Sequence, residues 1–125
     1  YQAAGNCLIT NNTIVNAGRV GILIGDSRGK DWKEKGLQNI APEGNQILNN
    51  IITGSVGNLL FADHAPNNTI VGNLFHRSGE ADLSEPDDSP LYADPLFRDP
   101  ALGDFRLSKN SPARASNPPK GALFK

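Results

Sequence analysis

Two aspartates end two similar segments of the chain and are the residues best placed for chemistry. Asp26 ends the segment NAGRVGILIGD and Asp63 ends the segment TGSVGNLLFAD, and the eleven positions match in character without a gap. If the segments are neighbouring parallel strands, the two carboxyl groups would lie about 5 Å apart. That separation suits the nucleophile and acid/base pair of a retaining glycosidase. It equally suits a calcium site, in which carboxylates share a cation, and both aspartates could instead simply cap turns.

A histidine and a charged segment adjoin the two aspartates. His64 follows Asp63 directly, where it could relay a proton or bind a hydroxyl group, although a solvated turn residue is equally compatible with the sequence. Residues 27–44 follow Asp26 and are charged, punctuated by glycine and without strand alternation. They therefore predict an inserted loop beside the two aspartates.

The inserted loop carries three candidate substrate-binding residues. Trp32 is the only tryptophan of the chain, and its flat face could stack on a sugar ring. Arg28 and Lys33 could bind an acidic sugar or a sulfate group. The alternative is a solvated loop that the tryptophan anchors to the rest of the fold.

A repeat indicates which elements must position these residues. The pattern aliphatic, x, x, Asn, x, apolar occurs three times, as ITNNTI at 9–14, ILNNII at 47–52 and IVGNLF at 70–75. Short apolar strands with this repetition bury their faces only when they stack, about 4.8 Å apart. We expect the asparagines Asn12, Asn50 and Asn73 to take the left-handed conformation and to hydrogen-bond to one another. The expected side-chain ladders are Ile9/Ile47/Ile70, Ile14/Ile52/Phe75, Ile22/Leu59 and Ile24/Phe61.

The C-terminal part has a different pattern. The repeat stops after His76, residues 84–90 are rich in turn formers, and residues 94–113 read DPLF·DP··GDFRL···SPA. This order closely resembles the terminal segment of many secreted right-handed β-helix proteins, among them pectate-lyase-like polysaccharide lyases and related carbohydrate-active enzymes. The resemblance implies an all-β, right-handed parallel β-helix of about three coils at 1–83, with an irregular C-terminal cap and tail at 84–125. Leu96, Phe97, Phe105 and Leu107 would cover the last coil.

The resemblance also implies a function. It indicates the C-terminal part of a glycoside hydrolase or polysaccharide lyase that acts on a plant or algal polysaccharide and is secreted, periplasmic or on the cell surface. Asp26, Asp63 and His64 would be catalytic. No cofactor is required, but calcium held by Asp26 and Asp63 is the alternative, since lyases of this fold often use calcium to neutralise a uronate. A non-catalytic, adhesin-like polysaccharide-binding protein is the alternative function.

Composition and charge restrict the partners. The chain has 125 residues, with 12 basic and 13 acidic side chains, which gives no electrostatic basis for binding nucleic acid or an anionic membrane. No apolar run is long enough for a transmembrane helix. The sequence enters its first strand almost at once, which predicts a bare strand edge. We expect that edge to meet an N-terminal β-helix portion, missing or on a separate chain, or a second copy of the chain.

Overall fold

The computed structural model describes residues 5–25, 43–55, 60–63, 67–77 and 87–122. These ranges contain short strands, a 3-10 helix at Pro100–Leu102 and an α-helix, α1, at Pro112–Ala115. The strands are β1 Leu8–Thr10, β2 Thr13–Val15, β3 Ile22–Gly25, β4 Gln46–Leu48, β5 Ile51–Thr53, β6 Leu60–Asp63, β7 Thr69–Val71, β8 Leu74–His76, β9 Leu91–Tyr92, β10 Phe97–Asp99 and β11 Asp104–Leu107.

The strands form three parallel sheets and one antiparallel pair. The parallel sheets have the orders β1-β4-β7, β2-β5-β8-β9 and β3-β6, and β10 pairs with β11 in antiparallel fashion. Ile9, Ile47 and Ile70 lie at one register position, which confirms the first predicted ladder. The second ladder, Ile14, Ile52 and Phe75, is confirmed in the same way. The repeat therefore determines the pairing of these strands.

The third parallel pair has a register that differs from the prediction by one residue. Ile22 pairs with Leu60, and Ile24 pairs with Ala62, so the predicted pairs with Leu59 and Phe61 are wrong. The paired residues of β3 and β6 are as far apart in sequence as those of β2 and β5, where Val15 pairs with Thr53. Both strands are continuous apolar runs without alternation. Aligning their apolar residues therefore could not distinguish the observed register from one shifted by a residue.

The predicted fold class is also corrected. The all-β, right-handed parallel β-helix of about three coils with an irregular cap is wrong: the described ranges show separate parallel sheets together with some helix, and no closed coil. The repeat specifies which strands pair, but closure depends on the connections, and residues 26–42 and 64–66 lie outside the described ranges.

The C-terminal part is regular where irregular structure was expected. Ser111 caps α1 by accepting a hydrogen bond from the Ala113 amide, and Pro112 fits the first helical turn because it needs no N–H partner there. Asp99 caps the 3-10 helix, and Gly103 ends it in the left-handed conformation. These local capping residues specify short helices that an apolar-repeat argument does not detect.

Asparagines at the bend between neighbouring strands form a hydrogen-bonded ladder. The side-chain amide of Asn12 donates to Asn50 Oδ1 at 3.0 Å, and that of Asn50 donates to Asn73 Oδ1 at 2.9 Å. This bonding was predicted, but the left-handed residues were not. They are the preceding residues, Asn11, Asn49 and Gly72, with φ of 55°, 55° and 73°. The bend therefore precedes each ladder asparagine, which leaves its side chain free to point inward.

The ladder ends on a buried carboxylate. Asp87 Oδ2 accepts from the backbone N–H and the side-chain amide of Asn73 at 2.9 and 2.7 Å, and its Oδ1 accepts from the Gly72 and Ser89 amides. Lys120 is buried nearby, and burial lowers the pKa of its ammonium group although the Asp87 charge opposes that shift. The carboxylate thus accepts the hydrogen bonds of Gly72 and Asn73, for which no further ladder asparagine follows.

Apolar side chains cover both faces of the sheet that contains β5 and β8. On one face, Ile52 and Phe75 pack with Ile47, Ile70 and Ile22. On the other face, the fully buried Ile51 and Leu74 pack with Ala113, Leu91, Phe97 and Leu107. Phe97 and Leu107 therefore pack across a sheet face, whereas Leu96 is 41% exposed.

A C-terminal segment, residues 117–122, runs along the bend of the stacked strands. The Gly121 amide donates to the Asn49 carbonyl at 2.8 Å, and the Asn11 side-chain amide donates to the Pro119 carbonyl at 2.9 Å. The Ala122 amide donates to Thr13 Oγ1 at 2.9 Å. The segment thereby ties the first two strand layers together.

Candidate functional site

The predicted site lies almost wholly beyond the described residues. Arg28, Trp32, Lys33, Asp26 and His64 all fall outside the described ranges. Their assigned roles in catalysis, sugar binding and calcium binding remain predictions.

Asp63 is described as the last residue of β6. Its register partner is Gly25, so Asp26 follows the position that faces Asp63. The short distance between the two carboxyl groups stays a prediction, because Asp26 lies outside the described ranges. Among the residues that the structure describes, no group of three acidic, histidine or cysteine side chains could hold a metal ion.

A cleft of about 330 Å³ lies at the carboxyl ends of β2, β5 and β8, where the hairpin β10–β11 and the segment before it face them. Its volume is at the lower end of the range for small-molecule sites. The residues that line it are Val15, Asn16, Thr53, Gly54, His76, Arg77, Asp94, Pro95, Leu96, Phe97, Pro100 and Phe105.

Three polar side chains form one wall of the cleft. Thr53 and His76 end neighbouring strands at paired register positions, and Thr53 Oγ1 lies 3.4 Å from His76 Nδ1. His76 Nε2 lies 3.9 Å from Asp94 Oδ2, an ion pair when the imidazole is protonated. The imidazole is thus held between a hydroxyl group and a carboxylate, and this wall can both donate and accept hydrogen bonds.

Asp94 is held in place by its own turn. Its Oδ1 accepts a hydrogen bond from the Leu96 amide at 2.9 Å, which forms an Asx turn. The other carboxylate oxygen, Oδ2, faces His76. About half of the Asp94 side chain is exposed. A ligand can therefore reach this carboxylate from solvent.

Arg77 adds a cation to the cleft from an unusual backbone position. Its φ of 45° is left-handed, in the same column where Asn16 has 54° and Gly54 has 74°. Asparagine and glycine tolerate this region, but a long side chain seldom takes it. The guanidinium group is exposed and has no ion pair or hydrogen bond to the described parts of the chain. A strained residue with a free cation at a cleft is a feature of ligand sites.

The opposite wall of the cleft is apolar. The rings of Phe97 and Phe105 meet edge to face with centroids 5.4 Å apart. Pro95 is buried beside them, and Pro100 begins the 3-10 helix at the rim. All four belong to the C-terminal pattern DPLF·DP··GDFRL. The cleft therefore has a polar wall from the repeat and an apolar wall from this pattern.

His76 and Arg77 directly follow the last apolar pair of the repeat, a place that allows either an exposed position or one beneath the C-terminal segment. They do face that segment, but they line an open cleft. A register count could have indicated this, because His76 and Arg77 occupy the positions that Thr53 and Gly54 hold one layer before. The facing Asp94 could not be placed, since residues 78–86 separate it from the repeat.

Across the described residues, no helix has the length and apolar character to cross a membrane.

Comparison with known proteins gives a partial similarity. The chain is 29% identical to the Uncharacterized protein YwoF of Bacillus subtilis (strain 168) over 151 positions, which cover 85% of this chain and 32% of that protein. The chain thus spans about a third of the length of that relative. No known protein family matches the chain, and no solved structure matches it.

Proposed function

We propose that this chain binds a carbohydrate, and that the cleft at the carboxyl ends of β2, β5 and β8 is the binding site. One observation carries the proposal: the C-terminal pattern that resembles secreted carbohydrate-active proteins supplies the apolar wall and Asp94, opposite His76 and Arg77. Sugars present hydroxyl groups at their edges and C–H groups on their faces. A cleft with charged hydrogen-bonding groups on one side and aromatic rings on the other matches both surfaces.

The charges of the cleft favour an acidic sugar. Arg77 is an exposed cation without a partner in the described ranges, whereas the carboxylate of Asp94 already faces His76. A uronic acid carboxylate can accept two hydrogen bonds from a guanidinium group. The binding partner is therefore an oligosaccharide or polysaccharide that contains uronic acids, outside the cell or at its surface.

Replacing Arg77 by glycine tests the site without damaging the fold. Glycine suits a φ of 45°, so we expect the melting temperature to stay the same or rise. We expect the Kd for uronic acid oligosaccharides to rise about tenfold or more, since a hydrogen bond to a charged group contributes about 1.5–3 kcal/mol. Calorimetric titration with oligogalacturonate and oligoalginate, and with neutral xylo-oligosaccharides for comparison, measures the change.

Asn67→Gly is the matched control for this substitution. Asn67 also has a left-handed φ, 63°, but lies outside the cleft. It should show the same small stability change with unaltered binding. Equal binding by the wild type and Arg77→Gly would remove the cleft from the proposal, and a lack of binding to every sugar by the wild type would remove the function.

A catalytic role is the second candidate, and the position of Asp63 favours it. Asp63 ends β6 at the register position of Gly25, and Asp26 follows Gly25 in the sequence. Strand ends of this kind commonly carry catalytic groups. Under this proposal, His64 assists the two aspartates, while Arg28, Trp32 and Lys33 contact the sugar and calcium is the alternative occupant.

Asp63→Asn is expected to abolish polysaccharide cleavage if this proposal holds. Hydrolysis would be followed by the release of reducing ends, and lyase action by the ultraviolet absorbance of an unsaturated product. Asp104→Asn is the control, because Asp104 is on the surface and bonds to Arg106 at 2.7 Å. An Asp63→Asn variant with full activity would rule out Asp63 as a catalytic residue.

A further inference from the structure

The outer edge formed by β1 and β2 is incompletely covered. Each is the first strand of its sheet, with a partner on one side only in the described ranges. Ile9 and Ile14 are only partly buried, whereas their ladder partners Ile47 and Ile52 are 0% exposed. The apolar column thus continues to an edge where its end residues still contact solvent.

The asparagine ladder has a direction. Asn50 Oδ1 accepts from both the backbone N–H and the side-chain amide of Asn12, at 2.9 and 3.0 Å. Asn73 Oδ1 accepts in the same way from Asn50, and Asp87 accepts from Asn73. The side-chain oxygens of Asn50 and Asn73 therefore accept from the layer before them, and the donors point toward Asp87.

This direction leaves a specific group unused at the edge. Asn12 Oδ1 accepts no hydrogen bond from any residue in the described ranges, although the corresponding oxygens of Asn50 and Asn73 each accept two. Water can bond to this exposed oxygen, but the pattern of the inner layers requires a backbone N–H and a side-chain amide together. A ladder asparagine at the bend between two parallel strands has this pair of donors.

We propose that the edge of β1 and β2 binds one further pair of parallel strands with an asparagine at its bend. The occupant is a peptide segment with the same pattern as the repeat, namely aliphatic, x, x, Asn, x, apolar. Its asparagine donates both hydrogen bonds to Asn12 Oδ1, and its apolar residues cover Ile9 and Ile14. The cleft shares Val15 and Asn16, at the carboxyl end of β2, with this edge.

A second copy of the chain fits this edge poorly. Two copies related by a two-fold axis would place one Asn12 Oδ1 acceptor against the other. In a head-to-tail arrangement the edge would meet the Asp87 end, where the carboxylate is also an acceptor and β9 already pairs with β8. Unlike these two arrangements, a parallel layer of the same direction supplies both donors to Asn12.

A duplicated layer tests the proposal in the full chain. Residues 45–67 form one repeat unit, because Asn45 and Asn68 are register equivalents bonded to each other and Cys7 bonds to Asn45 in the same way. A second copy of 45–67 inserted between Asn6 and Cys7 keeps this register. We expect amide hydrogen exchange in β1 and β2 to slow at least tenfold and the melting temperature to rise.

The control carries Asn50→Asp in the inserted copy only, which removes the side-chain donor but keeps the shape. We expect it to lose most of the gain in melting temperature. Unchanged exchange in β1 and β2 in the extended chain would overturn the proposal. So would a concentration-dependent dimer of the original chain that protects β1 and β2 by itself, because the edge would then belong to a second copy.

Discussion

Asn73→Ala is expected to lower the free energy of unfolding by about 3–5 kcal/mol, because it leaves several buried polar groups without partners. Asn73 is fully buried, and its side-chain amide donates to the Ile47 carbonyl and to Asp87. Its oxygen accepts from the backbone and the side chain of Asn50, which is also fully buried. Each buried group that loses its partner costs about 1–3 kcal/mol. Urea unfolding followed by circular dichroism measures the change.

Asn12→Ala is the control at the other end of the same ladder. Asn12 is exposed, and the groups that it would leave unpaired can bond to water, so the expected cost is below about 1 kcal/mol. Similar losses for Asn12→Ala and Asn73→Ala would show that burial does not determine the strength of the ladder. Asn73→Asp should be at least as damaging as Asn73→Ala, since it places a second carboxylate against Asp87.

The repeat predicted the strand pairing because the same short pattern of residues occurs in each layer. Ile47 and Ile70 follow the same pattern of neighbours, so their common register could be read from the sequence. The β3–β6 register could not, because Ile22–Gly25 and Leu60–Asp63 lack alternation. The bend was misplaced by one residue for a related reason. Asparagine is common at both bend and ladder positions, as in Asn11–Asn12 and Asn49–Asn50, and only the Gly72–Asn73 copy distinguishes the two roles.

The candidate cleft depends on contacts that are distant in sequence. Thr53 and His76 could be paired from the repeat, but Asp94 meets His76 only because β9 adds to β8 and turns the following segment over the strand ends. Phe97 and Phe105 were assigned to cover the last coil. Phe97 packs instead with Ile51 and Leu74 on the outer sheet face, and its other side lines the cleft. Composition indicates that such aromatic residues are buried, but it does not show against which face.

The C-terminal segment that ties the strand layers provides the second large effect. Gly121→Ala is expected to lower the free energy of unfolding by about 2–5 kcal/mol. Gly121 has a φ of 77°, and a Cβ atom there would overlap Ile51 Cδ1 and lie 2.8 Å from Thr13 Oγ1. The left-handed conformation costs alanine about 1–2 kcal/mol, and overpacking against a filled core adds about 1–3 kcal/mol. Thermal and urea unfolding of the full chain give the value.

Gly103→Ala separates these two contributions. Gly103 also has a φ of 77°, but no atom lies within 4 Å of the position where a Cβ would be. It should therefore show only the conformational cost, about 1–2 kcal/mol. The excess loss for Gly121→Ala then measures how tightly residues 117–122 pack on Ile51 and Thr13. Equal losses in the two variants would mean that the segment yields at that contact. It would then contribute little to holding β2 and β5, whose carboxyl ends form one wall of the cleft.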